Sequence, residues 1–181
     1  MTTTYSPQHP AYFDRADARA ERDRVFDLCH GCRLCWNICP SFVSLFDLID
    51  NVRGDDPMAL TDSEHDRIVD ECYQCKLCYL KCPYVPPHEW NLDFPRLMLR
   101  SLAARTEHDG VGVTKRFLAA TDFVGKAATM AAPIANAMNH SGLARGVMQA
   151  TLGVAKDRLL PDYAKVRFSK WFRRRDRGGA E

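Results

Sequence analysis

The sequence predicts an all-α protein, and three observations support that prediction. The segment SFVSLFDLID carries apolar residues at helical spacing, namely Phe42, Leu45, Phe46 and Ile49. The tetrapeptide TDSE, Thr61 to Glu64, has the composition of a capping box that opens a helix containing Ile68. No segment alternates polar and apolar residues convincingly enough to indicate a β-strand.

Further helices are predicted in the second half of the chain. Asp93 is a candidate N-cap for the segment DFPRLMLRSLAAR, whose apolar face would hold Phe94, Leu97, Met98 and Leu102. Thr121 and Asp122 can start an Ala-rich helix, and another is predicted from Leu143 to Leu152, ended by Gly153. Between these groups, the proline-rich segment PYVPPHEW at 83–90 is predicted to be extended.

Composition excludes several classes of protein. The 181 residues include 25 Lys and Arg and 23 Asp and Glu, which is ordinary for a globular chain. The polar opening MTTTYSPQHPAYFDRADARA lacks the features of a secretory signal, so we expect a cytoplasmic protein. The charge-free run at 127–144 is rich in Ala and contains Asn, Pro, His and Gly, so it is not expected to span a membrane.

All eight cysteines lie in two runs with the same spacing, CHGCRLCWNICP from Cys29 to Pro40 and CYQCKLCYLKCP from Cys72 to Pro83. A shift of 43 residues superimposes Asp23–Pro40 on Asp66–Pro83, with identical or conservative residues flanking the cysteines. The repeat predicts two similar sites related by a pseudo-twofold axis. Each half is expected to consist of a helix that leads into a cysteine loop.

The spacing C-x2-C-x2-C-x3-C-P is the ligand pattern of bacterial two-cluster ferredoxins, in which the fourth cysteine binds the other cluster. It predicts two [4Fe–4S] clusters. The predicted ligands of cluster one are Cys29, Cys32, Cys35 and Cys82, and those of cluster two are Cys72, Cys75, Cys78 and Cys39. Eight cysteines could also bind two zinc ions, but the third cysteine of each triplet and the x3-C-P ending favour a cubane.

Other polar residues lie in or beside the two runs. Arg33, Lys76 and Lys81 could favour the reduced state of a cluster, or they could be ordinary solvated charges. His30 and His88 are not required as ligands, because four cysteines are available for each cluster. No catalytic residue is predicted.

The two runs, together with PYVPPHEWNLDFPRLM after the second, resemble the N-terminal part of heterodisulfide-reductase-related iron–sulfur proteins. That group includes the iron–sulfur subunits of anaerobic glycerol-3-phosphate dehydrogenase and of glycolate oxidase. The resemblance covers roughly residues 10–175 and implies an α-helical ferredoxin domain, as in succinate dehydrogenase iron–sulfur subunits. Members usually continue into a region with paired CCG motifs, which this sequence lacks. Either the chain is a fragment, or a separate polypeptide supplies that region.

The predicted organisation has three parts. An N-terminal arm and helix occupy 1–22, the two-cluster domain 23–108, and a helical extension with a basic tail or linker 109–181. The tail could contact an anionic membrane face, or it could be a solvated linker. Its basic residues are Lys165, Arg167, Lys170, Arg173, Arg174, Arg175 and Arg177, with Trp171 and Phe172 among them. Nucleic-acid binding is not expected, because the rest of the chain is not basic.

The predicted function is single-electron transfer between a flavoprotein dehydrogenase and a downstream acceptor, either a quinone or another redox protein. We expect the chain not to be catalytic alone. Two alternatives remain open: the N-terminal cluster domain of a heterodisulfide-reductase-like enzyme, whose active site lies in the missing region, and a purely structural cluster domain.

Overall fold

The structure, a computed structural model, describes residues 5–175 of the chain. Contacts within the chain divide it into two units, one ending at Gly110 and the other beginning at Val111. Within the described residues, the regular secondary structure is α-helix plus one 3-10 turn, which confirms the all-α prediction. The two units are described separately.

Between residues 5 and 110, the first unit contains five α-helices. They are α1 (Arg15–Cys32), α2 (Pro40–Val52), α3 (Asp62–Asp70), α4 (Leu77–Lys81) and α5 (Phe94–Asp109). A 3-10 turn, Pro57–Ala59, lies between α2 and α3 and packs against α1. Helix α5 packs against α1, α3 and α4, and α2 packs against α3. The second cysteine run is thus attached to the rest of the unit by α5.

The core of this unit forms where the predicted apolar stripes meet. All four stripe residues of α2 are buried, and Leu45, Phe46 and Ile49 are completely inaccessible to solvent. Phe42 stacks on Phe94 of α5 with 4.4 Å between the ring centroids. Burial of each such side chain contributes about 1.5–3 kcal/mol. This ring contact therefore joins α2 to α5.

Two predicted helix starts are confirmed by their hydrogen bonds. At α3 the Thr61 N–H donates to Glu64 Oε2 at 2.8 Å and the Glu64 N–H donates to Thr61 Oγ1 at 3.4 Å, which is a capping box. At α5 the Arg96 N–H donates to the Asp93 carboxylate at 3.0 Å. These caps satisfy backbone donors that have no partner inside a helix.

A buried arginine holds the N-terminal segment against α5. The Arg100 side chain is fully buried. It donates to the carbonyls of Tyr12 at 2.9 Å and Ala11 at 2.6 Å, and to Asp17 Oδ2 at 2.5 Å. Because a buried guanidinium needs acceptors, these bonds fix the approach of the chain to α1.

The proline-rich segment after the second cysteine run differs from prediction. Residues 83–90 form successive turns and bends instead of the predicted extended segment. The Leu92 N–H donates to the Tyr84 carbonyl at 3.0 Å, and this bond closes the segment into a loop. Inside it, the rings of Tyr84 and Trp90 lie 4.6 Å apart and both contact His88. Aromatic contacts across the loop outweigh the extended preference that proline gives its neighbour.

The part of the second unit that the structure describes, residues 111–175, contains five short helices. They are α6 (Val113–Ala119), α7 (Thr121–Met130), α8 (Ala132–His140), α9 (Gly142–Leu152) and α10 (Phe168–Arg175). The helix starting at Thr121 and the one ended by Gly153 are as predicted; Gly153 has a φ of 71°. The Tyr163 N–H and carbonyl pair with the Asn136 side chain at 2.8 and 3.1 Å, which ties the segment before α10 to α8.

Over residues 5–175, no helix has both the length and the apolar character needed to cross a bilayer. Few side chains of the second unit are buried in the structure, and its large apolar residues are mostly exposed.

Candidate metal centre

The helices hold the two cysteine runs in different ways. In the first run, Cys29 and Cys32 lie in the last turn of α1, and Cys39 is the residue immediately before α2. In the second run, α3 ends before Cys72, and Cys78 lies in α4. The expected order of helix and then loop therefore holds for the second run, whereas α1 extends into the first. The first run begins inside a helix because the hydrogen bonds of α1 continue to Cys32, where Arg33 caps the helix.

The four cysteines predicted to bind cluster one lie around a single cavity. Cys29, Cys32 and Cys35 come from the first run, and Cys82 comes from the second. The cavity has about 320 Å³ of empty space. Its other lining residues are largely apolar and include Leu28, Leu34, Phe42, Phe46 and Leu92. A thiol from the second run thus faces three from the first.

The remaining four cysteines also interact with one another. Burial is the main cause that raises the pKa of Cys78 to about 12, and the charges that raise it further are those of Cys35, Cys72, Cys39 and Cys75. Burial raises the pKa of Cys72 as well, and Cys39 and Cys75 are the charges that add to that rise. The charge of Cys39 therefore acts on cysteines of the second run, and it also raises the pKa of Cys35 in the first run. Cys75 is the exposed member of the eight.

Backbone donors point at two of the sulfur atoms. Although burial raises the pKa of Cys82, the N–H groups of Tyr84 and Val85 bond to its sulfur and lower the pKa. The Gln74 backbone has the same effect on Cys72, and the Gln74 side-chain amide lies 3.5 Å from that sulfur. Such bonds stabilise thiolate over thiol. Proline after Cys82 has no N–H, so the donors come from the next two residues.

The donor set fits an iron–sulfur group. Each set consists of thiols, and burial is the main cause that raises the pKa of Cys35, to about 11. Neutral thiols at this depth need no counter-charge, and a bound metal replaces their protons. Soft thiolate ligands of this kind bind zinc, Cu(I) and iron–sulfur clusters, and oxygen ligands would be expected for Mg²⁺ or Ca²⁺. When bound, a [4Fe–4S] cluster supplies one-electron redox chemistry.

Arg33 is not a free loop charge. Its guanidinium donates two bonds to the Asp50 carboxylate of α2, at 2.7 and 2.5 Å. It also lies 5.7 Å from the Trp36 ring centroid and 5.5 Å from that of Phe46. The paired carboxylate offsets its charge, and Arg33 holds down the pKa of Asp50. Arg33 therefore attaches the first cysteine run to α2. Lys81, by contrast, is exposed and is the cation that acts on Cys35.

The two histidines have partners other than a cluster. His30 Nε2 lies 3.3 Å from Asp50 Oδ1 and also contacts Arg33. Asp55 is near this group, which is therefore a set of possible metal ligands, but both oxygens of Asp50 already accept bonds from Arg33. His88 contacts the rings of Tyr84 and Trp90. Neither histidine lines the cavity around Cys29.

Sequence reasoning did not identify two residues beside the site. Phe42 was predicted only as part of an apolar helical stripe, but it also lines both the cavity around Cys29 and a second cavity that reaches Cys78 and Cys82. Asp50 was not singled out, although it pairs with Arg33. A carboxylate on α2 has no local sequence signal for a partner 17 residues away.

Comparison with known proteins gave one match. Residues 23–91 match the family model described as a 4Fe–4S dicluster domain. No curated protein and no solved structure gives a significant match to the chain. The match covers both cysteine runs and the segment between them.

These observations define the class of protein. The duplicated cysteine motif, the clustering of thiols from both runs and the dicluster match identify an iron–sulfur protein of the [4Fe–4S], electron-transfer type.

Proposed function

We propose that this chain carries two [4Fe–4S] clusters and relays single electrons between a flavoprotein dehydrogenase and a downstream acceptor, a quinone or another redox protein. The proposed ligands of cluster one are Cys29, Cys32, Cys35 and Cys82. Those of cluster two are Cys72, Cys75, Cys78 and Cys39.

The proposed exchange of the fourth cysteines is supported by the position of Cys82. Cys82 lines the cavity formed by the first run, 47 positions after Cys35 in the sequence. Cys39 interacts with Cys72 and Cys78 of the second run. Two separate zinc sites, each within one run, would have no need for such an exchange. A two-cluster ferredoxin pattern requires it.

The chain itself provides an apolar, hydrogen-bonded setting for the clusters. A second cavity is lined by cysteines of both ligand sets, Cys29, Cys35 and Cys82 from one and Cys78 from the other. Phe42, Leu92 and Phe94 complete much of its wall. Apolar walls exclude water, and the N–H bonds at Cys72 and Cys82 stabilise negative charge on sulfur. Burial and sulfur hydrogen bonds are two ways in which a protein sets a cluster potential.

One part of the second run has the exposure expected of a contact with a redox partner. Cys75 is exposed, and the side chains of Tyr73, Leu77 and Leu80 near it in sequence are 72%, 55% and 82% exposed. Lys76, also exposed, lies among them. A partner with an apolar centre and an acidic rim fits this surface. The resemblance to dehydrogenase iron–sulfur subunits supports a flavoprotein as that partner.

The test is a set of ligand substitutions in the holoprotein, purified anaerobically and reduced. Cys39→Ser should alter the same cluster signal, in electron paramagnetic resonance, as Cys75→Ser. Cys82→Ser should alter the signal affected by Cys32→Ser. If Cys39→Ser instead resembles Cys32→Ser, each run binds its own cluster and the proposed ligand sets are wrong.

The relay itself needs a separate measurement. Potentiometric titration of the wild-type protein should show both clusters reducing reversibly. A cluster that cannot be reduced reversibly would indicate a structural role and overturn the proposed electron transfer.

A further inference from the structure

Charge is distributed unevenly between the two units. Residues 111–181 contain 13 Lys and Arg against 5 Asp and Glu, a formal charge of +8, whereas residues 1–110 have 12 against 18, a formal charge of −6. Bound clusters would make the first unit more negative still. Charge asymmetry of this size between parts of a chain indicates an anionic binding partner for the basic part.

The basic side chains of the second unit are partly gathered around one groove. The groove has about 690 Å³ of empty space and opens to solvent. Its basic lining residues are Lys126 from α7, Lys165 and Arg167 from the segment before α10, and Lys170 from α10. Thr129, Met130 and Val166 complete the lining, so no acidic side chain contributes to it. Four cations around one opening favour a phosphate-bearing ligand.

Helix α10 places an aromatic stripe beside this groove. Phe168, Trp171 and Phe172 are 72%, 47% and 47% exposed. Phe168 lies 5.6 Å from Trp171 and 5.8 Å from Phe172 between ring centroids, so the three rings form one stripe. Arg175 contacts the Trp171 ring at 5.4 Å. Exposed aromatic residues in such a stripe are unfavourable in water unless something covers them.

The two features together fit one kind of surface. An amphipathic helix with aromatic residues on one face and Lys and Arg on the other lies in the interface of a bilayer. The residues of α10 outside the aromatic stripe are Ser169, Lys170, Arg173 and Arg174, whereas Arg175 contacts the Trp171 ring. Aromatic rings favour the level of the headgroups, and lipid phosphates favour the basic groove. A soluble phosphate compound would explain the groove but would leave the aromatic stripe uncovered.

We infer that the groove lined by Lys126, Lys165, Arg167 and Lys170, together with the aromatic stripe of α10, is a docking site for the phosphate headgroups of an anionic bilayer surface. The site rests on the proposed function, in that it would hold the electron relay at a membrane. Its test is independent of cluster chemistry.

The experiment is co-flotation of the anaerobic holoprotein with vesicles. Wild-type protein should float with vesicles of phosphatidylcholine and phosphatidylglycerol, and it should not float with phosphatidylcholine alone. Raising the salt concentration should release it, since exposed charges are screened beyond roughly 8 Å at physiological ionic strength. If the protein floats with neither kind of vesicle, or equally with both, the inference is wrong.

Substitutions locate the site. Lys165→Glu with Lys170→Glu should weaken binding at least about 25-fold, at roughly fivefold for each basic side chain lost near the surface. Trp171→Ser with Phe172→Ser should also weaken it. Lys165→Arg with Lys170→Arg should retain binding, because charge is kept. The matched control is Arg145→Glu with Lys156→Glu, which changes the net charge equally but outside the groove. This control should weaken vesicle binding much less.

The visible spectrum of each variant reports whether the clusters are intact. If the groove variant and its control lose vesicle binding equally, net charge alone drives binding. That result would contradict a specific site at the groove. If the protein binds inorganic phosphate or single-stranded DNA but no vesicles, the groove is a site for that ligand. The inferred docking to a bilayer would then be wrong. If a groove variant fails to fold, the lipid and salt dependence of the wild-type protein still decides the matter.

Discussion

Arg33 and Lys76 occupy equivalent positions in the two cysteine runs, 43 residues apart, and both have a left-handed backbone, with φ of 53° and 61°. Arg33 ends α1, and its N–H donates to the Cys29 carbonyl at 2.8 Å. Lys76 immediately precedes α4. The duplicated sequence thus produces the same local reversal of the chain in both runs, even though the helices around them differ.

A glycine substitution tests this backbone conformation. At Lys76, which is exposed, the Gly variant should be more stable than the Ala variant by about 1 kcal/mol, because only glycine adopts a left-handed conformation without a steric penalty. Denaturation of the holoprotein measures the difference. At Leu99, within α5 and 51% exposed, the order should reverse, with Ala about 0.5–1 kcal/mol better than Gly. The same order at both positions would contradict the conformation given for Lys76.

Metal content follows from the proposed ligand sets. Protein purified anaerobically should contain roughly eight iron and eight acid-labile sulfide per chain, with broad visible absorption that bleaches with dithionite. Chemical analysis of iron and acid-labile sulfide, relative to protein concentration, measures the number of each per chain. Stoichiometric zinc without sulfide would refute iron–sulfur binding, and about half the expected iron would refute the count of two.

Phe42 should matter both for folding and for the clusters. It is 2% exposed, stacks on Phe94 and lines both cavities beside the cysteines. Phe42→Ala should lower the free energy of unfolding by about 3–5 kcal/mol and should speed cluster loss to a chelator, since water gains access. Val43→Ala is the control, as Val43 is 39% exposed and adjacent in sequence. Similar rates of cluster loss in both variants would separate Phe42 from cluster protection.

His65 should make the stability of the first unit depend on pH. It is fully buried and stacks on Phe26 at 4.9 Å, and Arg22 Nε donates to its Nδ1 at 3.3 Å. Burial, followed by the charges of Arg19 and Arg22, lowers its pKa from 6.5 to about 3. The unfolded chain therefore binds a proton that the folded chain excludes. The contribution of neutral His65 to the free energy of unfolding is complete above pH 6.5, and it is lost as the pH falls toward 3.

The expected loss from His65 is about 2 kcal/mol between pH 7 and pH 5, at about 1.4 kcal/mol per pH unit below 6.5. Denaturation midpoints of the holoprotein at the two pH values measure it. His65→Phe should reduce the pH dependence, whereas His108→Gln, whose side chain is 71% exposed in the wild type, should not. An unchanged pH dependence in His65→Phe would mean that other groups carry it.

Much of the first unit could be predicted because its signals are local. The stripe of α2, the capping box at Thr61 and the cap at Asp93 each depend on residues a few positions apart, and all three are confirmed. The turns at 83–90 could not be predicted, because they are accompanied by ring contacts between Tyr84 and Trp90. The Arg33–Asp50 ion pair could not be predicted either, because it joins residues 17 positions apart that have no local sequence signal. The ligand sets remain a proposal, although spacing alone suggested which thiols should meet.

The proposed exchange of Cys39 and Cys82 would make the two halves of the first unit mutually dependent. Under the proposed ligand sets, a polypeptide with one cysteine run would need a second copy to complete any four-thiol site. The 32 residues from Pro40 to Glu71 join the two runs in one molecule. A tether of this kind gives an effective concentration on the order of mM. Cluster assembly should thus be insensitive to dilution, and oxidation of a single fourth cysteine would damage the cluster of the opposite half.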